Sequence, residues 1–184
     1  FMTHVIIRAG VVKYLYDAAN AMVGYLKAGL GVATILSCTI FAAISGSSVA
    51  TALTIGSTAI PQMKRFNYSP SYSYGVIAAG GTLGILIPPS GPLILYAIVT
   101  EASIGALFVA GLIPGIMMAL IFAGWAMISA GFSGAVVSQP FLGMRVIWSS
   151  IRRSISALLM PPVVLGGIYL GIFTATEAAS IGCL

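Results

Sequence analysis

Charge is what this sequence has least of. Lys and Arg together number 8, Asp and Glu 3, and His 1, so that 6% of the 184 residues are charged while 59% are hydrophobic. Soluble domains carry about 25% charged residues, and no soluble core of this length hides so much apolar surface. The composition therefore excludes the soluble classes and points to an integral membrane protein. Cysteine is almost absent. Cys38 and Cys183 stand apart in apolar sequence, with no Cys-x-x-Cys or Cys/His cluster, which removes a soft-metal site and leaves both as small buried hydrophobes. The single histidine, His4, lies near the start and reads as a polar residue at the membrane edge. Phe1 follows no starting Met or signal-peptide pattern, and the chain stops on "SIGCL" inside an apolar run. It reads as a fragment cut at both ends.

The few charges that exist are ordered. Lys13, Lys27, Lys64, Arg65, Arg145, Arg152 and Arg153 all fall between apolar runs. That is the signature of the positive-inside rule, and it accounts for the net charge of +5 without nucleic acid as a partner.

Periodicity then places the elements. Residues 1–27 are an N-terminal segment and an amphipathic helix over 10–27, with Val11, Val12, Leu15, Ala18, Ala19, Met22, Val23 and Leu26 on one face. Lys13, Asp17, Asn20 and Lys27 share the other, the pattern of a helix lying along a bilayer. Residues 28–63 contain no charge and carry Ser45-Gly46-Ser47-Ser48 at their centre. Each half, about 16 residues at ~1.5 Å per residue, reaches ~24 Å, short of the ~30 Å hydrocarbon core. Two short spans with an outside turn, or a re-entrant hairpin, both fit; length and polarity favour the hairpin, whose tip then needs a cavity or a partner domain.

Residues 71–100 read as one crossing with a break. Pro88, Pro89 and Pro92 lack N–H donors and free the carbonyls of Gly84, Ile85 and Pro88, so two half-helices meet at an unwound "IPPSG". A plain span follows over 104–131, then a loop, then a second amphipathic helix over 141–158. There Phe141, Met144, Ile147, Trp148, Ile151 and Ile155 oppose Arg145, Ser149, Arg152 and Arg153. Residues 159–184 begin another crossing. With the hairpin returning to its own side, every basic residue from Lys13 onward falls on one side of the membrane.

A re-entrant tip and a broken helix are the ingredients of a transporter binding site, where hydroxyls and unwound carbonyls meet a small cation and half-helix N-termini meet an anion. The plain alternative for Ser-Gly-Ser-Ser is close packing by small residues, and for "IPPSGP" a structural kink. Serine hydrolysis is excluded, because Ser47 or Ser48 would need a base and neither segment holds Lys, Asp, Glu or His; the chain reads as no enzyme. Thr174 and Glu177 fit a capping box, with an intramembrane functional acid as the alternative for Glu177.

"FAAISGSSVATALTIGSTAIPQM", "AAGGTLGILIPPSGPLILY", "FVAGLIPG" and "GIFTATEAA" together resemble the large permease subunit of TRAP transporters, the tripartite ATP-independent periplasmic carriers with a DctM-like subunit. The family's Thr-Pro-Thr-Glu is Thr174-Ala175-Thr176-Glu177 here. The resemblance implies half of an all-α, multi-pass, elevator-type permease in the bacterial inner membrane. It implies a sodium-coupled symporter of organic anions such as C4-dicarboxylates or sialic acid, with sodium as coupling ion and no other cofactor or metal. The implied partners are a small TRAP membrane subunit, a periplasmic substrate-binding protein and the lipid bilayer. The implied sodium ligands are Ser45, Gly46, Ser47, Ser48, Gly84, Ile87, Pro88 and Ser90, with Ser47, Thr51 and Pro89 beside the substrate. The two amphipathic helices would brace the moving domain as arms. Residues 159–184 would be the start of the second inverted repeat, whose hairpin and broken helix would lie beyond Leu184, so the 184 residues are expected not to transport alone. The alternative is an ion channel with a re-entrant loop lining its pore.

Overall fold

Helix α1, Val11–Val23, starts after Gly10 and stops at Gly24, whose N–H donates to the Asn20 carbonyl at 2.7 Å. The computed structural model describes residues 10–132 and 144–170, and all regular structure among them is helical. The inner face of α1 is Val12, Leu15, Tyr16, Ala18 and Ala19, with Lys13 exposed opposite. Two residues depart from the periodic reading. Tyr16 is wholly buried, and Met22 is 43% exposed. The helix ends four residues short of Lys27, so its last turn has less to cover it. Turns closed by Leu26 N–H to Val23 O and Gly29 N–H to Leu26 O then lead into a left-handed Ala28.

Helix α2, Gly29–Ser45, and α3, Ser48–Arg65, form a helical hairpin with a two-residue turn. At ~1.5 Å per residue each is about 25–27 Å long. Helix α2 is the centre of the bundle. It packs against α1, α3, α4 (Pro70–Thr82), α6 (Ile104–Phe132) and α8 (Ile155–Tyr169). It is buried almost all round, as a helix apolar on every face must be. Helix α3 is one-sided: Thr51, Thr54, Ile55, Ala59 and Met63 face inward, and Val49 and Leu53 outward.

Helix α4 opens with Ser69 as N-cap, accepting from the Tyr72 N–H, and with Pro70 in its first turn. It gives way to a single 3-10 turn, Leu83–Ile85, and an irregular stretch before α5, Gly91–Thr100. Helix α6 is the one element among the described residues long and apolar enough to cross a membrane by itself. Ile113, Met117, Leu120 and Trp125 on it are exposed.

Tyr72 ties α4 to α6, its hydroxyl donating to the Ala126 carbonyl at 2.8 Å. Tyr72→Phe is expected to cost about 1 kcal/mol, seen as a lower thermal midpoint in detergent; an unchanged midpoint would show that the bond contributes nothing.

Helix α7, Met144–Arg153, lies against α1. The sequence reading carried this amphipathic helix to residue 158, whereas a turn residue interrupts it at Ser154. That residue is buried, its N–H is shared between Ser150 O and Ile151 O, and its carbonyl accepts from Leu158 N–H. The i→i−4 ladder thus runs on through this single turn residue, and the apolar α8 starts at Ile155. His4, Thr174, Glu177, Cys183 and the loop before Met144 lie outside the described residues.

Candidate functional site

The Ser-Gly-Ser-Ser stretch builds its own reversal. Ser45 ends α2, and Gly46 takes a left-handed conformation (φ 60°) while its N–H closes on the Ala42 carbonyl at 2.9 Å. A glycine in that region costs no Cβ clash. Ser47 is extended and caps α3, its hydroxyl accepting from the Ala50 N–H at 3.4 Å. Four small residues thus end one helix and start the next.

This tip sits in the break between α4 and α5. A Cβ on Gly46 would collide with the Pro89 carbonyl oxygen, and the Gly91 N–H faces the Gly46 carbonyl at 3.5 Å. On the other side Gly84 lies under the reversal. A Cβ there would stand 2.6 Å from the Ser47 carbonyl carbon and 2.7 Å from the Ser48 nitrogen. The seat continues along α4, where Gly80 admits Cys38 of α2 and Gly81 admits Ala52 of α3. The glycines of "GGTLG" are where the hairpin rests.

The candidate residues divide accordingly. Ser45, Gly46, Ser47, Ser48, Gly84 and Pro89 meet at one place. Ile87 and Pro88 are buried in the break, but the Ile87 side chain turns to Gly115 of α6, away from the tip. Ser90 is buried and its hydroxyl donates to the Ile85 carbonyl at 2.8 Å. One carbonyl that the prolines free is therefore occupied by the loop's own serine. The Pro88–Pro89 peptide is cis. Thr51 is fully buried on α3, its hydroxyl 2.9 Å from Ser45 Oγ and donating to the Ser47 carbonyl at 2.8 Å. The Ser48 Oγ is buried with no hydrogen-bond partner. An orphaned buried hydroxyl is costly unless something fills its lone pairs.

Four helix ends converge here. The C-termini of α2 and α4 carry partial negative charge, and the N-termini of α3 and α5 partial positive charge. No charged side chain stands within residues 28–63 or 71–100, and among the described residues no group of His, Cys, Asp or Glu could hold a metal ion. What remains is hard, neutral hydroxyl and carbonyl oxygen, a donor set suited to an alkali cation beside a carboxylate. The Ser48 orphan and the small-residue seat fit such an ion.

Sequence reasoning missed Tyr16. Its hydroxyl meets Thr34 of α2 at 3.3 Å, joining α1 to α2. Nothing local to a tyrosine between Leu15 and Asp17 says that α2 covers it.

Comparison with known proteins gives the family. The family model described as "Tripartite ATP-independent periplasmic transporter, DctM component" matches residues 1–184. The C4-dicarboxylate TRAP transporter large permease protein DctM of Pseudomonas aeruginosa is 43% identical over 95% of this chain and 41% of its own length. That of Rhodobacter capsulatus is 40% identical over 100% of this chain and 44% of its own. The sialic acid TRAP transporter large permease protein SiaM of Vibrio cholerae is 33% identical over 98% of this chain and 42% of its own. The chain spans less than half the length of these relatives, which are transporter permeases and not enzymes. On the family match along its whole length, the chain belongs to the DctM component family of tripartite ATP-independent periplasmic transporters.

Proposed function

We propose that these residues form part of the large permease of a sodium-coupled TRAP transporter that takes up organic acids, C4-dicarboxylate, sialic acid or a similar carboxylate, across the bacterial inner membrane. A periplasmic binding protein delivers the substrate, and a small membrane subunit completes the permease. The observation that carries this reading is the hairpin tip held in the break of α4–α5 by two close backbone approaches, at Gly46 and Gly84. Helices α2 and α3, each about 25–27 Å long, suit a re-entrant hairpin whose tip stops at membrane depth. Ser45 and Ser48 offer oxygen to sodium, which supplies the driving charge; the N-termini of α3 and α5 favour the carboxylate of the substrate. The arms α1 and α7, packed on each other, suit a brace against which an elevator domain moves.

The test is uptake by the complete permease in proteoliposomes, with loaded binding protein, with and without an inward sodium gradient. Ser45→Ala/Ser48→Ala is expected to lose sodium-dependent uptake while keeping its gel-filtration profile. Full uptake in the variant returns the tip to packing. Uptake indifferent to sodium overturns the coupling ion, and single-channel currents in place of saturable flux overturn the carrier.

A further inference from the structure

We propose that Thr51 is a positioning residue for the tip: its hydroxyl accepts the Ser45 proton and fills the Ser47 carbonyl, so that Ser45 presents only lone pairs to a bound cation. This rests on the sodium reading above and sorts the oxygens within it.

A hydroxyl has one proton, and a carbonyl two lone pairs. Thr51 Oγ1 is 2.8 Å from the Ser47 carbonyl oxygen and spends its proton there. Ser45 Oγ has two acceptors in reach, the Ser47 carbonyl at 3.4 Å and Thr51 Oγ1 at 2.9 Å; the shorter contact, to an oxygen whose own proton is spent, takes its proton. The Ser47 carbonyl also accepts the Thr51 N–H at 3.0 Å, so both its lone pairs are used and it is no cation ligand. Ser45 is left opposite. Its proton points inward, one lone pair accepts the long 3.4 Å bond from the Ser47 N–H, and the other is left for the cation. A hydroxyl ligates a cation through lone pairs, and one whose proton is already committed does not have to turn when the ion arrives. The same bonds tie the last residue of α2 to the first turn of α3, which fixes the width of the tip. Thr51 is wholly buried, so its hydroxyl serves the tip from inside.

The experiment follows sodium chloride alone, by its equilibrium binding to the complete permease in detergent and, beside it, by its stabilisation against heat, with choline chloride holding ionic strength constant. Thr51→Val keeps the shape and removes the hydroxyl. It is expected to raise the sodium concentration for half-maximal binding about tenfold, whereas Thr51→Ser stays within about twofold. A merely structural role would lower the midpoint equally at every sodium concentration and leave half-saturation unchanged, which overturns the inference. If Thr51→Val does not fold, Thr51→Cys carries the same expectation in smaller degree, because a thiol is a weak donor; wild-type half-saturation in that variant overturns it too. A wild-type permease that sodium does not stabilise beyond choline would sink the sodium reading and this inference with it. A sodium-stabilised wild type with unchanged half-saturation in the Thr51 variants would sink the inference alone.

Discussion

Gly46→Ala is expected to abolish uptake by the complete permease, and Gly84→Ala to come close to doing so. Two terms act at Gly46. A left-handed conformation costs a residue with a Cβ about 1–2 kcal/mol, and the new methyl would run into the Pro89 carbonyl oxygen, adding the about 1–3 kcal/mol of an overpacked contact. At Gly84 the dihedral term is absent. The Cβ, however, would lie 2.6 Å from the Ser47 carbonyl carbon, and backbone cannot swing away as a side-chain end can. In both variants the tip has to leave its seat. Even 2 kcal/mol lowers the ratio of seated to unseated tip about thirtyfold. Gly75→Ala is the control, since an added Cβ there meets nothing within 4 Å, and it is expected to transport as wild type. Uptake by Gly46→Ala equal to Gly75→Ala would show that the tip and the break need not touch.

The second large effect is expected at Tyr16→Ala. The ring is wholly buried between the arm and the hairpin, and truncating a buried aromatic costs about 3–5 kcal/mol. Burial pushes its phenol up to about 12, the Thr34 hydrogen bond offsetting only part of that rise. The residue is therefore neutral throughout the working range, and the loss should not vary with pH below about 9; above the ordinary tyrosine value near 10 the unfolded state ionises first and the loss shrinks. Tyr16→Phe keeps the ring and gives up the 3.3 Å contact to Thr34, about 1 kcal/mol. Thermal unfolding in detergent should rank wild type above Tyr16→Phe and both well above Tyr16→Ala. A Tyr16→Ala midpoint equal to wild type would mean that the arm is not anchored through this ring.

The elements that the sequence made legible are those written in local chemistry. A stretch without charge and with a hydroxyl-rich centre reads as a helical pair, because only Ser, Gly and their like can end one helix and cap the next within two residues. Three prolines in five residues read as a break, because each removes a donor. Part of what was not legible depends on residues far apart in the chain. Nothing near Gly84 says that Ser47 and Ser48 will lie on it. Nothing near Tyr16 says that Thr34 will cover it. The Ile85 carbonyl reads as freed by proline, yet the serine that captures it follows the same prolines, at Ser90. The turn at Ser154 was missed because its flanks, Arg152-Arg153 and Ile155, continue one amphipathic pattern across it.

The measurement that bears most directly on the tip as a cation site is equilibrium binding of radioactive sodium to the purified complete permease, beside Ser45→Ala/Ser48→Ala. Saturable binding in wild type that is displaced by unlabelled sodium but not by choline, and lost in a variant that elutes and unfolds as a folded protein, is the predicted result. Equal sodium binding by the two would contradict it, and would leave Ser45-Gly46-Ser47-Ser48 as the turn that lets two helices pack against a third.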